Sequence, residues 1–493
     1  MTYFAPYMPI FTVFEQLLYF MDRMEAQLMQ HAENEPRVYD YIIMGCGISA
    51  LTAAKHLLDK NSVLILESYR VPGGNHQSYL IEGMEFDIGA ICFNTTDEQF
   101  KHFPELLGSC IPKAVEVKKI CTNGSLGQYP FDWHTEASSL SLVERIFCLV
   151  SLLSCRFRKD RQDDARSYAQ SRIGDFLYQR VGLDLYIKRL FGVDAADIDY
   201  DFALKRMQWL SRETSLRFRI ARFIRRQRKK IPPWGETVVR PPGGFGCYYE
   251  KARCRLRDEG VEFVFDEKAL KIETTAGITA VTTANRTHLA KKLISTIPLD
   301  EASGLCGLPE TNLPTVTLVS LFVALRGSWL PGCSILYNFH KFGNWKRITV
   351  HSDFYPGPGS YDKHCTVEIT VPPGMMAPAP AEAFADVEAH LRAMKIIEGE
   401  LVLIGSSGLR NAYPIPEKGF KARRDRAIAR LASKDVICLG RQGKFEYIPH
   451  SNVAAKETIT TLEKALEPAQ LPQQREPAGV ELRTELPPLP VAT

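Results

Sequence analysis

The sequence predicts an α/β protein with a Rossmann-like, doubly wound domain built from discontinuous segments and a second domain of helices and antiparallel strands. Residues 39–67 alternate strand, glycine turn, helix and strand. Their strand segments, YDYIIM and SVLILES, are apolar runs, as expected where helices cover both faces of a parallel sheet. Residues 315–372 instead alternate along segments such as RITVHSDF and CTVEITV, which is typical of an antiparallel sheet.

Length and composition limit the classes of function. The chain has 493 residues, of which 45% are hydrophobic, enough for two or three substructures with sizeable cores. A net charge of +4 gives no overall field that would attract nucleic acid, and we expect none as a partner. The twelve cysteines include no C-x-x-C pair, which argues against a metal site and indicates reduced thiols in a cytoplasmic protein.

Three segments outside the sheets have their own patterns. Residues 1–35 are apolar but interrupted by prolines and acids, which predicts a leader helix packed on the body or on a dimer partner. RIFCLVSLLSC (145–155) is too short to span a membrane and predicts a buried helix. Residues 212–230 combine arginines with apolar residues, which fits a solvated helix face or a gate for a phosphorylated or carrier-bound substrate. A peripheral membrane contact through 212–230 or the N-terminus is a further alternative.

The glycine turn after the first strand has the spacing of a dinucleotide-binding motif. In GCGISA, Gly45 permits the tight turn, Gly47 lets the backbone approach a pyrophosphate, and Ala50 allows close helix–strand packing. The helix that begins at Ile48 and Ser49 directs positive partial charge at that phosphate. Glu67 ends the next strand about 20 residues on, where a ribose-binding acid belongs, and it argues against the 2′-phosphate of NADP.

A second glycine pair follows a few residues after Glu67. Gly73 and Gly74, in VPGGN, lie where the chain would return across the pyrophosphate. A plain nicotinamide domain has no need of this second pair. The sequence therefore favours FAD over NAD.

Seven segments together resemble a known superfamily. In order, they are GCGISA, LILES, VPGGN, EFDIGA, PPGGFG, ISTIP and GRQGKFEY. They are similar to the FAD-binding amine oxidases, phytoene desaturases and protoporphyrinogen oxidases over about residues 38–466, and most similar to UDP-galactopyranose mutases. The resemblance implies a GR2-type FAD domain. The cofactor-binding residues expected from the motif and the resemblance are Gly45, Gly47, Ile48, Ser49, Ala50, Glu67, Gly73, Gly74, Asn75, Gly440 and Arg441.

The same resemblance implies candidate residues for the reaction. Tyr413 matches a tyrosine of the mutase substrate pocket, Arg347 falls near an arginine beside the flavin, and Tyr447 matches a member of the tyrosine cluster. The chain departs from the mutases at GAICFNT, where Ile91 and Asn94 replace two histidines. Phe445, Ile448 and Pro449 also differ from the mutase pattern. We expect Asn94, Arg347, Tyr413 and Tyr447 to line the reacting centre.

These segments define the expected domains and activity. An FAD-binding domain is expected from 36–115, 235–300 and 401–466, a substrate domain from 116–234 and 301–400, and a disordered tail from 467–493. Because flavin itself performs hydride chemistry, the favoured function is an FAD-dependent oxidoreductase that removes a hydride from a small or lipophilic metabolite. The alternatives are a redox-neutral, flavin-dependent mutase of a nucleotide sugar and a non-catalytic flavoprotein.

Overall fold

A computed structural model describes residues 37–129, 141–155, 163–207 and 235–467. The leader 1–35, the basic stretch 212–230 and nearly all of the tail 467–493 lie outside these ranges. The expectations for those three segments therefore stay predictions.

The described strands form two large sheets and two small ones. In chain order they are β1 (Val38–Met44), β2 (Val63–Leu66), β3 (Gln77–Ile81), β4 (Met84–Ile88), β5 (Cys92–Asn94), β6 (Ile111–Pro112), β7 (Val117–Ile120), β8 (Leu126–Gln128), β9 (Thr237–Val239), β10 (Glu262–Val264), β11 (Lys271–Thr275), β12 (Ile278–Thr282), β13 (Thr287–Ser295), β14 (Thr315–Trp329), β15 (Ile335–Asn338), β16 (Trp345–Val350), β17 (Lys363–Val371), β18 (Ile397–Pro414) and β19 (Val436–Cys438).

The described helices cover the sheets, and a short 3₁₀ turn (His351–Asp353) follows β16. In chain order they are α1 (Ile48–Leu57), α2 (Gln99–His102), α3 (Pro104–Ser109), α4 (Leu142–Cys155), α5 (Ala165–Val181), α6 (Leu183–Phe191), α7 (Tyr200–Arg206), α8 (Gly244–Asp258), α9 (Leu299–Leu305), α10 (Pro380–Ala393), α11 (Phe420–Ala432), α12 (Gly440–Gly443) and α13 (Ser451–Leu466).

The first sheet confirms the doubly wound α/β domain. Its order is β10-β2-β1-β13-β12-β11, with β19 also paired to β13. The strands β10, β2, β1, β13 and β19 are parallel, and β11 and β12 form an antiparallel meander. Alternate residues of β1 face two different cores: Ile43 packs with residues of α1, α8 and α13, whereas Ile42 packs with residues of α9 and α11. Helices therefore cover both faces, which explains the apolar strands.

The second sheet is the predicted antiparallel sheet of the other domain. Its order is β18-β14-β17-β16-β15-β7-β8, and only the β15–β7 pair is parallel. The described part of 116–234 outside β7 and β8 is helical, as expected, and the helices α4 to α7 pack against one end of this sheet.

The domain boundaries near 301 and 401 differ from the expected ones. Residues 401–414 belong to β18, which pairs with β14 from Thr315 to Trp329 and so lies in the second sheet. This strand begins at Ile397, before the expected boundary at 401. Conversely, Leu299, Ala302 and Leu313 pack with Phe420 in the core of the first sheet, which moves the other boundary toward 314.

The helix α4 was expected to be buried, and that prediction is wrong for one of its faces. Cys148 and Cys155 are buried, but apolar residues on the opposite side, such as Ile146 and Val150, are exposed. Composition alone does not distinguish a core helix from one whose apolar face points outward, because both are rich in Leu, Ile and Val.

A buried ion pair joins the hairpin β3–β4 to the strand β9 and the helix α8. The Arg240 guanidinium donates to both carboxylate oxygens of Asp87, with N–O distances of 2.7–3.1 Å, and neither side chain is exposed. It also donates to Glu85 at 2.8 Å, and Glu85 in turn accepts from the backbone amide of Gly243 at the start of α8. The ring of Tyr355 lies 4.0 Å from the guanidinium carbon.

Removal of one partner tests this pair. We expect Arg240→Met to lower the free energy of unfolding by about 3–5 kcal/mol, because the Asp87 carboxylate would be left buried without its cation. Arg326→Met, which breaks an exposed pair with Glu400, should cost about 1 kcal/mol or less. Urea unfolding of both variants provides the measurement, and equal losses would contradict the assigned role of Arg240.

Candidate functional site

The glycine turn lies where the carboxyl ends of β1, β13 and β19 meet. Gly45 has a φ of +94° and lies against Thr296, which leaves no room for a side chain at that position. Gly47 precedes α1, and no side chain caps the first turn of this helix. The free amides at this helix end, with no acidic residue in its first turn, form a site suited to a phosphate.

Glu67 lies beside this turn, as the motif predicts. Its carboxylate accepts from the backbone amides of Cys46 at 2.6 Å and Tyr69 at 2.9 Å. Burial raises the pKa of Glu67, and the two amides act in the opposite direction. The Ser68 hydroxyl also donates to this carboxylate at 3.3 Å. A carboxylate has about four acceptor positions, so one hydroxyl group of a ribose can still donate to it.

The second glycine pair lies directly against the first. A Cβ added to Gly74 would be 3.3 Å from the Cα of Gly47, and the backbone amide of Gly73 donates to Cys46 at 2.9 Å. Gly73 and Gly74 both have positive φ angles, +130° and +61°. The side-chain nitrogen of Asn75 is buried and has no described hydrogen-bond partner. The two glycine segments therefore form one backbone cradle with an unused donor at its edge.

The last strand of the first sheet closes the cradle. Gly440 follows β19 with a φ of +71°, and a Cβ there would be 2.6 Å from the hydroxyl oxygen of Ser49 in α1. Arg441 comes next, 5.4 Å from the ring centroid of Tyr413. The structure thus connects the expected cofactor residues at 45–50, 73–75 and 440–441 at one edge of the sheet. The residues present fit a dinucleotide pyrophosphate lying against the two glycine segments.

His76 connects this cradle to Arg347. Its Nδ1 lies 2.8 Å from the hydroxyl oxygen of Tyr249, and its ring is in contact with Gly89. The carbonyl of Gly89 accepts from Arg347 at 3.0 Å. Burial lowers the pKa of His76 to about 4, and the charges of Arg441 and Arg347 act in the same direction. The imidazole is therefore neutral at pH 7.

Arg347 belongs to a buried triad with Glu368 and Lys346. Arg347 donates to one oxygen of Glu368, and the Lys346 Nζ lies 3.1 Å from the other. Burial raises the pKa of Glu368, but the two cations outweigh it and hold that pKa below its usual range. Burial lowers the pKa of Lys346, and the attraction of Glu368 outweighs this and raises it. Two cations and one anion leave the triad with one net positive charge.

Tyr413 and Tyr447 lie next to the triad. The Lys346 ammonium donates to the Tyr413 hydroxyl at 3.2 Å and lies 4.3 Å from its ring centroid. The Tyr413 and Tyr447 rings are 5.9 Å apart. With four further rings they form a cluster that we call the aromatic wall: Tyr129, Tyr186, Tyr337, Phe339, Tyr413 and Tyr447.

Several of these residues carry no sequence signal of a functional role. Lys346 stands beside Arg347 but reads as a surface residue, because a lone lysine in a strand carries no motif. Tyr186 lies in VGLDLYIKRLFG, and its ring stacks on Phe339 at 4.6 Å. Burial raises the pKa of Tyr186, and the hydroxyls of Tyr129, Tyr337 and Tyr447 add to the effect. The rings of the aromatic wall come from five distant segments, and only the folded arrangement brings them together.

The described contacts of Asn94 are local ones. It ends β5, which pairs with β9, and its backbone exchanges hydrogen bonds with Asp97 in the following turn. The contacts described for Asn94 therefore join it to the small sheet, and none of them is with the aromatic wall. Its expected role at the reacting centre remains a prediction.

The described residues contain neither a metal cluster nor a membrane-spanning helix. No group of three or more His, Cys, Asp or Glu side chains within residues 37–129, 141–155, 163–207 and 235–467 is arranged to hold a metal ion. In the same ranges, no helix is long and apolar enough to cross a membrane.

Comparisons of sequence match a short segment of the chain. The family model for an NAD(P)-binding Rossmann-like domain matches residues 43–107. The chloroplastic prolycopene isomerase of Daucus carota is 42% identical over 64 residues, which are 13% of this chain and 10% of that protein. The corresponding protein of Arabidopsis thaliana is 41% identical over 63 residues, or 12% and 11% of the two chains. The match thus covers about a tenth of these relatives.

Comparisons of structure extend over most of the chain. A reduced UDP-galactopyranose mutase has a TM-score of 0.66 and 19% identity, and the match covers 87% of this chain and 94% of that one. A putative protoporphyrinogen oxidase from Exiguobacterium sp. 255-15 has a TM-score of 0.63 and 16% identity, covering 87% and 99%. Cyclohexylamine oxidase from Brevibacterium oxydans IH-35A has a TM-score of 0.53 and 14% identity, covering 87% and 99%.

The charge balance of the triad gives a testable contrast. Glu368→Gln should lower the free energy of unfolding by about 3–5 kcal/mol, because two buried cations would face each other without an anion. Lys346→Met should cost much less, on the order of 1 kcal/mol, because it leaves the neutral Arg347–Glu368 pair and fills similar volume. Thermal and urea unfolding measure both, and a larger loss for Lys346→Met would contradict the proposed balance.

Residues 43–107 therefore match the model of an NAD(P)-binding Rossmann-like domain, and 87% of the chain shares its fold with a UDP-galactopyranose mutase, a putative protoporphyrinogen oxidase and cyclohexylamine oxidase, which confirms the resemblance at the level of fold.

Proposed function

We propose that the protein binds FAD non-covalently and is an FAD-dependent oxidoreductase that removes a hydride from a small or lipophilic metabolite. The observation that carries this proposal is the pair of glycine segments, Gly45–Gly47 and Gly73–Gly74, in mutual contact at the carboxyl edge of the first sheet. In open α/β sheets, ligands bind at this edge.

Each expected cofactor residue has a role consistent with FAD. The amides at the start of α1 would hold the pyrophosphate, Glu67 would accept from a ribose hydroxyl, and the buried Asn75 nitrogen would donate to the cofactor. When bound, FAD supplies an isoalloxazine ring that accepts a hydride. The protein then has to orient the substrate and keep water out.

The electrostatics beside the cradle suit hydride removal better than acid–base chemistry. Of the titratable groups described there, His76 is neutral at pH 7, and Glu368 is ionised and paired with two cations. Neither is poised to exchange a proton near neutral pH. The net positive charge of the triad would stabilise negative charge that develops nearby.

The aromatic wall supports an apolar or planar substrate. Its rings pack closely, with 3.9 Å between the centroids of Tyr129 and Tyr337, and the charged groups described beside it lie over the rings of Phe339 and Tyr413. Tyr413 is positioned by Lys346. We infer that the wall holds the substrate, with Tyr413 held by Lys346 and Tyr337 paired with Arg347 across β15 and β16.

A single methyl group tests the cradle. We expect Gly47→Ala to weaken FAD binding by about tenfold or more, since each ~1.4 kcal/mol of lost contact is tenfold in affinity. The added Cβ lies 3.8 Å from Gly74, and Gly47 has an ordinary φ of −83°, so the fold should tolerate it. The measurement is the FAD content of purified protein and the dissociation constant of the reconstituted one. Gly108→Ala, whose Cβ would meet no atom within 4 Å, is the control and should bind FAD normally.

The reaction class is tested by anaerobic spectroscopy. If the proposal is correct, amine and polyene substrates added without oxygen should include one that bleaches the flavin absorbance, and oxygen or another acceptor should restore it. Tyr413→Phe should slow the bleaching while FAD content is unchanged. Full FAD binding with no bleaching across the panel would contradict the oxidoreductase and favour a non-catalytic flavoprotein.

A redox-neutral mutase of a nucleotide sugar is the second candidate. The cations Arg347, Lys346 and Arg441 exceed the one described acid among them, Glu368, and this excess would suit a diphosphate. A mutase needs reduced FAD and transfers no net electrons. Interconversion of UDP-galactopyranose and its furanose form only after dithionite reduction would therefore replace the oxidoreductase proposal.

A further inference from the structure

We propose that the exposed face of α4 docks on the surface of a lipid bilayer that contains anionic headgroups. Six large apolar side chains of this helix are between 47% and 61% exposed. They are Val143, Ile146, Phe147, Leu149, Val150 and Leu153. The surfaces of soluble proteins usually carry large apolar residues singly, whereas a contiguous group of them marks an interaction site.

The exposed residues form one continuous face. At 100° per residue they span about 160° of the helix circumference. The opposite side carries Cys148 and Cys155, which are buried, and Ser151 and Leu152, which are partly buried. The helix is thus amphipathic in an unusual sense: its more apolar face points away from the protein.

The orientation of α4 is fixed by close packing on α5. The backbone amide of Phe176 donates to the Ser151 hydroxyl at 3.2 Å. Gly174 interrupts α5 with a φ of 75°, and a Cβ there would lie 2.6 Å from the carbonyl oxygen of Ser151. Rotation of α4 that turned its large apolar face inward would place a bulkier side chain at this crossing. The apolar face is therefore held outward by the fold.

Charge in the adjoining sequence favours lipid over a protein partner. Arg156, Arg158, Lys159 and Arg161 follow the helix directly. The acids among residues 156–164 are Asp160, Asp163 and Asp164, so four cations and three acids leave one net positive charge, with the cations nearest the helix. Residues 156–162 lie outside the described ranges. An apolar helix face next to clustered cations is the pattern of a helix that lies in the interface of an anionic membrane. A convex single-helix face also offers no groove for a partner's side chains.

The docking face lies on the domain that carries the aromatic wall. Cys148 of α4 is part of the same core as Leu177 and Phe339, against which Tyr413 and Tyr447 pack. Docking would therefore bring the substrate domain, rather than the nucleotide domain, to the membrane. This surface is distinct from the segments 1–35 and 212–230, for which the sequence left a membrane contact open.

Vesicle co-sedimentation of the full chain tests the proposal. We expect wild-type protein to bind vesicles of phosphatidylcholine with phosphatidylserine, and to bind phosphatidylcholine alone more weakly. The variant Val143→Ser/Ile146→Ser/Val150→Ser should bind at least about tenfold less. Each of these three side chains would contribute more than ~1 kcal/mol to binding when it enters the bilayer. The matched control, Leu270→Ser/Leu330→Ser/Phe342→Ser, removes residues of 46–59% exposure elsewhere and should bind as wild type.

Circular dichroism and the unfolding transition confirm that each variant is folded. Equal binding of the α4 variant and wild type would overturn the proposal, and so would equal losses in the α4 variant and the control. A third outcome is that wild type binds neither vesicle type but self-associates, while the α4 variant is monomeric. In that case the face docks on a second copy of the chain, and the lipid proposal is wrong. None of these readouts depends on flavin or on substrate turnover.

Discussion

The pair between Arg240 and Asp87 is the interaction on which the site depends. Asp87 lies in the hairpin that follows the second glycine pair, and Arg240 precedes α8, whose residue Tyr249 contacts both His76 and Gly73. Two residues after Asp87, the chain reaches Gly89, whose carbonyl holds Arg347 of the second sheet. One buried ion pair thus sets the distance between the nucleotide cradle, the helix that supports it and the cation beside the aromatic wall.

The sequence predicted the nucleotide half of the molecule well, because its requirements are local. A glycine at Gly45, an apolar strand and an acid at Glu67 follow from turn geometry and sheet burial over fewer than 30 residues. The other half depends on distant pairings. Residues 401–414 were placed in the wrong sheet because the only feature that assigns β18 is its pairing with β14, some 80 residues earlier, which no local pattern records. The exposure of α4 was missed because its own sequence does not show which of its faces packs on α5.

The residues of the candidate reacting centre could also be predicted only in part. Arg347, Tyr413 and Tyr447 were selected through resemblance, and the structure brings them together. Lys346, adjacent in sequence to Arg347, was not selected, although it donates to Tyr413 and shares Glu368. Neighbours in a strand usually face opposite sides, but the pairing between β16 and β17 shifts register between Trp345 and Arg347, and both side chains reach the same carboxylate. A bulge of this kind cannot be read from a single sequence.

The strand order of the first sheet has a consequence for how the protein is made. β19 pairs with β13, and β13 with β1, so strands separated by roughly 400 residues must meet before the edge carrying Gly440 exists. At ~5–20 residues per second, a ribosome needs on the order of a minute to deliver that last strand. Until then, β1 and its glycine turn lack the neighbour that completes the cradle. Capture of the cofactor is therefore a late event in biogenesis, and the nascent chain must be kept from aggregating while its longest-range contact is still unformed.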